Sequence, residues 1–278
     1  MSSAALVERI SIGPGYGSEV TADLPSEFSL ESRVALVTGG SRGLGLAIAR
    51  GLVRHGATVV LSARKEPELR EAAAELEGIR AGSASYVASH AGRPDEIQAL
   101  VATVMERHGR VDLLVNNAGT NPYFGPLIEA EVGAWDKTFE VNLRGYLLLT
   151  QACWRAWMRD HGGAVLNVAS TAGVRPAPAM GIYGITKAGV IMLTRQLASE
   201  LGGAVRVNCV APGVFRTRFA ETLWSNPAIM ERVLAGNPMG RIGEPEELAG
   251  TAVYLLSDAA RYVNGQVIVV DGGGDAAG

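Results

Sequence analysis

At 278 residues and a net charge of −3 at pH 7, the chain can bury a substantial core and has no cationic excess to hold it to nucleic acid or an anionic membrane. Hydrophobic residues make up 47% and charged residues 19%, a globular composition rather than a disordered or fibrous one. The two cysteines, Cys153 and Cys209, lie in separate apolar stretches, and His55, His90, His108 and His161 are scattered, so neither a disulfide framework nor a metal cluster can be assembled from them.

Residues 1–32 contain Ser, Gly and Pro without sustained periodicity and are expected to form a loosely ordered extension. They precede a body over 33–274 and a short tail at 275–278. No basic segment followed by an apolar run opens the chain, and no apolar run is long enough to span a bilayer, so the cytoplasm is the expected compartment.

A first apolar run at 34–37 leads into Thr38-Gly39-Gly40-Ser41-Arg42-Gly43-Leu44-Gly45, which opens a helix expected over 43–55. Glycine allows a sharp turn and close approach of a pyrophosphate, and the helix start offers unpaired N–H groups to it. Gly39, Ser41, Arg42, Gly43, Leu44 and Gly45 are therefore candidate nucleotide contacts. The same stretch also fits G-x-S-x-G, the elbow of a serine hydrolase built on Ser41. That reading needs an acid and then a histidine at later strand ends, and no histidine is so placed.

The second run, 58–61, is followed by Ser62-Ala63-Arg64-Lys65 and a helix over 66–76. A carboxylate here would grip a bare ribose, whereas arginine suits a 2′-phosphate. With Arg64 present and Arg42 aimed at the same place, NADP(H) is preferred to NAD(H). A third run, 86–88, ends in Ser89-His90-Ala91 before a helix over 95–108, and a fourth, 111–115, ends in Asn116-Asn117-Ala118-Gly119. Asn116, Ala118 and Gly119 are small or amide residues suited to a crevice floor. A long helix over 135–158 carries Asn142, and a fifth run, 164–168, precedes Ser170.

Tyr183 and Lys187, four apart on a helix over 183–201, share one face. An ammonium beside a phenol favours the phenolate, and a serine beside both offers a hydrogen bond to an oxygen that gains charge. A Y-x-x-x-K pair alone is common on helix surfaces; with Ser170 and the Gly-rich turn it gains weight. The sixth run, 205–210, leads to Pro212, Gly213 and Thr217 and into a segment, 214–239, that interrupts the alternation. Its apolar residues Phe215, Phe219, Leu223, Trp224, Ile229, Met230, Val233, Leu234 and Met239 either line a substrate pocket or pack the segment down. A helix over 245–256 and a seventh run at 267–270 complete the pattern. Continuous apolar strands alternating with helices predict a single-domain, doubly wound parallel α/β sheet of seven strands, a Rossmann fold.

Together these motifs resemble the short-chain dehydrogenase/reductase family over about residues 28–273. The family's T-G-x-x-x-G-x-G stands at Thr38 to Gly45, its N-N-A-G at Asn116 to Gly119 and its Y-x-x-x-K at Tyr183 to Lys187. Its P-G-x-x-x-T is matched by Pro212, Gly213 and Thr217, and its closing G-x-x-x-x-V-D-G-G by Gly265 to Gly273. The resemblance implies that Tyr183 donates a proton to a carbonyl while a nicotinamide gives the hydride. It further implies that Lys187 lowers the tyrosine pKa and binds ribose, that Ser170 polarises the carbonyl and that Asn142 holds a water in a relay. Where the family carries an aspartate against adenine, this chain has His90.

Asn121-Pro122-Tyr123-Phe124-Gly125, Trp135-Asp136-Lys137-Thr138 and Phe219 to Trp224 resemble those of NADP-dependent carbonyl and retinal reductases, and similar bacterial chains are described as 3-oxoacyl-[acyl-carrier-protein] reductases. The expected activity is reduction of a small, apolar ketone or aldehyde. Alternatives are an NAD-linked alcohol or steroid dehydrogenase and a non-catalytic dinucleotide sensor. Family members commonly pair the two long helices between subunits, which implies a homotetramer.

Overall fold

The computed structural model describes residues 26–276. Its strands are β1 (Val34–Thr38), β2 (Thr58–Ala63), β3 (Ala84–Ala88), β4 (Leu113–Asn116), β5 (Gly163–Val168), β6 (Val205–Pro212) and β7 (Val267–Val270). They form one seven-stranded sheet in the order β3-β2-β1-β4-β5-β6-β7. Every pairing is parallel, with Leu36 of β1 registered against Val60 of β2 on one side and Leu114 of β4 on the other.

Burial on both faces explains why the strands read as unbroken apolar runs. Ala35 and Val37 point into a layer with Ile48 and Leu52 of α1 (Gly43–Arg54), Leu69 of α2 (Glu66–Ile79) and Leu255 of α10 (Ala249–Leu256). Val34 and Leu36 point the other way, toward Ile97 and Leu100 of α3 (Pro94–His108), Leu149 of α5 (Gly145–Cys153) and Leu197 of α7 (Gly181–Leu201). The alternation follows from the two-residue repeat of a strand. Both cysteines are buried, Cys153 in the second layer and Cys209 in a smaller cluster with Tyr146, Val190 and Ile191. The connections reverse direction between β1 and β4, and in such sheets the crevice at that reversal, beyond the strand C-termini, receives the ligand.

Two expectations are corrected. Residues 1–25 of the expected extension lie outside the described residues, but 26–32 are part of the body: Leu30 is only 1% exposed and its N–H donates to the carbonyl of His55 at 2.7 Å. Phe28 packs against the same core cluster, so two apolar side chains hold a segment with no periodic signal. Asp275 of the expected tail likewise donates its N–H to Asp271 Oδ2 at 2.6 Å.

The helix expected over 135–158 is longer than expected and interrupted. It starts at Val132 and runs as α4 (Val132–Phe139), a π-helical turn Glu140–Arg144, α5, a second π turn Trp154–Met158 and α6 (Arg159–His161). Near the first π turn the helix passes very close to the β3 loop: a side chain on Gly145 would meet the carbonyl oxygen of Ala91 at 2.0 Å. Among the described residues no helix is long and apolar enough to cross a membrane.

Candidate active site

A cavity of about 620 Å³ opens at the C-terminal ends of β1 and β4 and runs from the turn after β1 to the segment after β6. Gly39, Ser41, Arg42, Gly43 and Leu44 form its floor at one end. Gly39 and Gly43 hold φ at +63° and +56°, the left-handed region that other residues avoid. Arg42, extended at φ −169°, gives α1 no side-chain cap, and no acidic residue stands in the first turn. The uncapped N–H groups and positive dipole end of α1 are thus left for an anion. Gly45, read from the sequence as a contact, does not line the cavity. A Cβ there would sit 2.3 Å from the Gly39 carbonyl, so its part is to let the helix close against the turn.

The turn is tied to β4 by hydrogen bonds. Thr38 Oγ1 donates to the Val115 carbonyl at 3.2 Å and accepts from the N–H groups of Asn117 and Ala118 at 3.1 and 3.2 Å. Asn117 Nδ2 donates to the carbonyls of Thr38 and Gly39 at 2.9 and 3.2 Å. Asn117, Ala118 and Gly119 line the cavity, and Asn116 does not. Because side chains alternate along a strand, Asn116 turns into the core, where its amide donates to Thr150 Oγ1 and Asn167 Oδ1 at 3.2 and 2.9 Å. Its expected cofactor contact is replaced by a structural role.

At the outer end of the cavity Arg64 is exposed, and no carboxylate pairs with it among the described residues. Arg42 Nη1 lies 3.2 Å and Lys65 Nζ 3.1 Å from the two oxygens of Glu68, and all these residues line the cavity. Lys65 foremost, with Arg42 and Arg218, holds the Glu68 carboxyl below the usual range. Glu68 escaped the sequence reading because it stands one helical turn beyond the segment inspected for an acid. His90 and Lys137 line the neighbouring wall. His90 Nδ1 accepts from the Gly92 N–H at 3.1 Å and Nε2 lies 3.1 Å from Lys137 Nζ. Burial, then the Lys137 ammonium, pushes the imidazole pKa down.

At the inner end Ser170, Tyr183 and Lys187 meet. Ser170 caps a 3-10 turn, Thr171–Gly173, by accepting from the Ala172 N–H at 3.2 Å. That turn rests directly on α7: a Cβ on Gly173 would strike the Lys187 backbone at 2.5 Å, and one on Gly184 the Ala172 carbonyl at 2.6 Å. These two close approaches set the strand end carrying Ser170 against the helix carrying Tyr183, and the serine hydroxyl acts to lower the phenol's pKa. Lys187 is 2% exposed, and its Nζ donates to the Val168 carbonyl at 2.7 Å and to the Tyr146 hydroxyl at 3.2 Å.

The expected acidification of Tyr183 is not found. Burial pushes the phenol up to about 12, with Ser170 acting in the opposite direction, and burial pushes Lys187 down to about 8. The ammonium is engaged by Val168 and Tyr146, so the phenol feels desolvation more than a cationic neighbour. Asn142 has partners on two elements. It is fully buried in the first π turn and outside the cavity lining; its Oδ1 accepts from the Thr120 N–H at 2.8 Å, and its Nδ2 donates to Thr120 O at 2.9 Å and Thr186 Oγ1 at 3.2 Å. Its side chain joins α7 to the loop after β4.

Pro212, Gly213 and Thr217 line the wall after β6. Within 214–239, Arg218–Ala220 is a 3-10 turn followed by α8 (Glu221–Trp224) and α9 (Pro227–Ala235). Phe215, Phe219 and Leu223 reach the cavity, with the Phe219 ring 5.8 Å from that of Tyr183. Trp224, Ile229, Met230, Val233, Leu234 and Met239 do not line it, and the Trp224 indole donates to the Thr217 carbonyl at 2.9 Å. Three of the segment's apolar residues thus line the cavity, while Met239 is 61% exposed and α9 buries none of its residues. Phe124, Met180 and Asn121 complete this end; the buried Asn121 Oδ1 has no partner among the described residues.

The hydrolase alternative fails on geometry, since no histidine pairs with Ser41: His55 meets the Gly51 carbonyl, His108 meets Ser85, His161 meets Trp157, and His90 is held by Gly92 and Lys137. A dinucleotide phosphate fits the observed residues, for two reasons. The turn admits no side chain at Gly39, where a Cβ would lie 2.7 Å from Asn117 Nδ2, and the α1 N-terminus has no internal counter-ion in its first turn.

Comparison with known proteins agrees with this geometry. A family model described as enoyl-(acyl carrier protein) reductase matches residues 39–275. Dehydrogenase/reductase SDR family member 4 of Bos taurus is 41% identical over 245 residues, covering 88% of this chain and 88% of the relative. Its counterpart in Caenorhabditis elegans is 36% identical over 247 residues, 87% of this chain and 95% of the relative. Among solved structures, a gluconate 5-dehydrogenase of Burkholderia cenocepacia in complex with NADP and tartrate superposes with a TM-score of 0.86 at 32% identity, over 90% of this chain and 98% of that one.

Proposed function

The chain belongs to the short-chain dehydrogenase/reductase family, and from that premise we propose that it is an NADP(H)-dependent oxidoreductase reducing a ketone or aldehyde, 3-oxoacyl groups included, to an alcohol. The observation that carries this reading is the meeting of Ser170, Tyr183 and Lys187 at the inner end of a cavity whose outer end is cationic and glycine-floored.

Reduction of a carbonyl needs a hydride, which a bound nicotinamide supplies, and a proton, which the protein must hold. Tyr183 holds it: a phenol pushed up to about 12 is fully protonated at neutral pH, suiting proton donation better than abstraction. The Ser170 hydroxyl, beside that phenol, is placed to hydrogen-bond the substrate oxygen as charge grows on it. When the proton leaves Tyr183, the Lys187 ammonium, 5.6 Å from its ring centroid, is the nearby cation that favours the phenolate left behind. Gly39, Ser41, Arg42, Gly43 and Leu44 would hold the pyrophosphate side of the cofactor. Ala118, Gly119 and His90 would line the nucleoside, and Tyr183, Lys187, Pro212, Gly213 and Thr217 the nicotinamide side.

NADP(H) is favoured by Arg42, Arg64 and Lys65 at the outer end, and the NADP complex of the Burkholderia cenocepacia relative agrees with it. Phe124, Met180, Phe219 and Leu223 around Tyr183 favour an apolar substrate. Contact between copies of the chain, in keeping with the expected homotetramer, is favoured by a second hollow of about 770 Å³ between α4, α5 and α7, lined in part by Phe139, Leu143, Leu147, Met192 and Leu193. The test is turnover of a panel of ketones, aldehydes, quinones and 3-oxoacyl thioesters with NADPH and with NADH. Turnover of at least one class with NADPH preferred supports the reading; turnover of none, or preference for NADH, contradicts it.

A further inference from the structure

Tyr146 stands in the first turn of α5 and is fully buried, with no part in the cavity lining. A buried phenol requires partners for its hydroxyl, and both are unusual here. The hydroxyl donates to the Val168 carbonyl at 3.2 Å, which commits its proton. Its lone pairs are then the face it offers to its other neighbour, the Lys187 ammonium at 3.2 Å. Lys187 in turn donates to the same Val168 carbonyl at 2.7 Å, closing a three-membered ring of contacts. The ammonium lies 5.1 Å from the Tyr146 ring centroid and 5.6 Å from that of Tyr183, between two phenols.

We propose that Tyr146 is a positioning residue that holds the Lys187 ammonium at the end of β5 and keeps it charged there, acting on the reaction only through Lys187. The inference rests on the reading of Lys187 and Tyr183 as reaction machinery, and adds to it a residue with no motif of its own.

The buried charge of Lys187 needs compensation. Taking an ammonium out of water disfavours its charge, and hydrogen-bond acceptors restore it. The titratable groups facing Lys187 are the Tyr183 phenol on its own helix, the Tyr146 phenol on α5 and the Cys209 thiol on β6. Cys209 favours the charged lysine, but burial holds its own thiol up at about 11, so it is neutral at physiological pH. The acceptors left to support the charge are the Val168 carbonyl and the Tyr146 hydroxyl. Tyr146 itself, raised well above its ordinary value by burial, stays a neutral acceptor throughout the lysine's titration.

Lys65, Lys137 and Lys187 are the lysines of the chain, so ε-carbon labelling of lysine gives a sparse NMR spectrum in which Lys187 can be followed without nucleotide. In the full-length wild-type protein its titration is expected with a midpoint near pH 8. In Tyr146→Phe, which keeps the ring and removes the acceptor, the midpoint should fall by about one unit, a tenfold change in the ionisation constant. The pH profile of kcat should lose its alkaline limb at correspondingly lower pH. An unchanged midpoint in Tyr146→Phe overturns the proposal.

A second measurement needs no substitution. With the tyrosine ζ-carbons labelled in the wild type, the Tyr146 signal should move with the same midpoint as Lys187, and a Tyr146 signal indifferent to that step overturns the proposal equally. Both readouts are taken without cofactor or substrate. They can therefore fail while Tyr183 still proves to be the proton donor, and succeed if it does not.

Discussion

The Lys187 ammonium and the Val168 carbonyl oxygen lie 2.7 Å apart, so the lysine of α7 is bound to the strand end that, two residues later, presents Ser170. One contact thereby fixes the spacing between the helix carrying Tyr183 and the strand carrying the serine. It also places a cation where water is excluded, which has a cost.

Lys187 titrates at about 8 in the folded chain and at its ordinary, higher value when unfolded. Between those pH values the unfolded chain binds more protons, so this lysine makes stability rise with pH; below about 8 the cost of burying the charge is present in full. Lys187→Met removes that cost. The variant is expected to be more stable than wild type by about 1–3 kcal/mol at pH 7, with the difference shrinking from pH 8 upward, and to be inactive. Urea unfolding of both proteins at several pH values checks this; a variant less stable at pH 7 contradicts it.

Cofactor choice is expected to follow the charges at the outer end of the cavity. Arg64→Asp should weaken NADPH binding by about 10- to 100-fold and affect NADH much less, the loss expected when a charged hydrogen bond is removed. Glu68→Gln should tighten NADPH by about two- to five-fold, because Arg42 and Lys65 no longer have an internal carboxylate to leave, and exposed pairs of this kind are weak. Titration of nucleotide against intrinsic fluorescence gives both numbers. Equal effects on NADPH and NADH would remove these residues from phosphate recognition.

Gly45→Ala tests the turn. The added carbon has no room beside the Gly39 carbonyl, so the chain should lose about 1–3 kcal/mol of stability and bind either nucleotide less well. Thermal unfolding with and without NADPH separates the two losses. Wild-type stability and affinity in the variant would contradict the packing described.

The apolar hollow between α4, α5 and α7 leads to a prediction about assembly. Met192, 59% exposed on α7, should lie between subunits, and Met192→Glu should lower the mass measured by light scattering without loss of the folded chain. A wild-type protein that is already monomeric contradicts the assembly.

The seven-stranded parallel sheet and the cavity floor were legible because glycine and β-branched residues announce themselves by type, whereas the strand order came only with the structure. Thr38 to Gly45 and Ser170, Tyr183 and Lys187 needed only spacing. What escaped the sequence depends on direction rather than identity. Asn116 and Asn117 are chemically alike, yet alternation along β4 sends the first into the core and the second to the turn. Asn142 was found, but its partners Thr120 and Thr186 come from elements far apart in the chain. Tyr146 and Glu68 carry no motif, and only the packing of α5 against β5 and of α2 beside the turn brings them to Lys187 and Arg42. Phe28 and Leu30 pack on the core from a segment without periodicity, which no pattern in the sequence marked.

In the proposed reaction the Tyr183 phenol gives its proton to a carbonyl at the inner end of this cavity. Tyr183→Phe removes one oxygen from a buried ring whose packing against Phe219 is retained. The decisive measurement is NADPH oxidation by this variant with the best substrate of the panel, alongside its affinity for NADPH. Binding should be unchanged and kcat lower by about 10²–10⁴-fold. A variant that binds NADPH and turns over at the wild-type rate would contradict it.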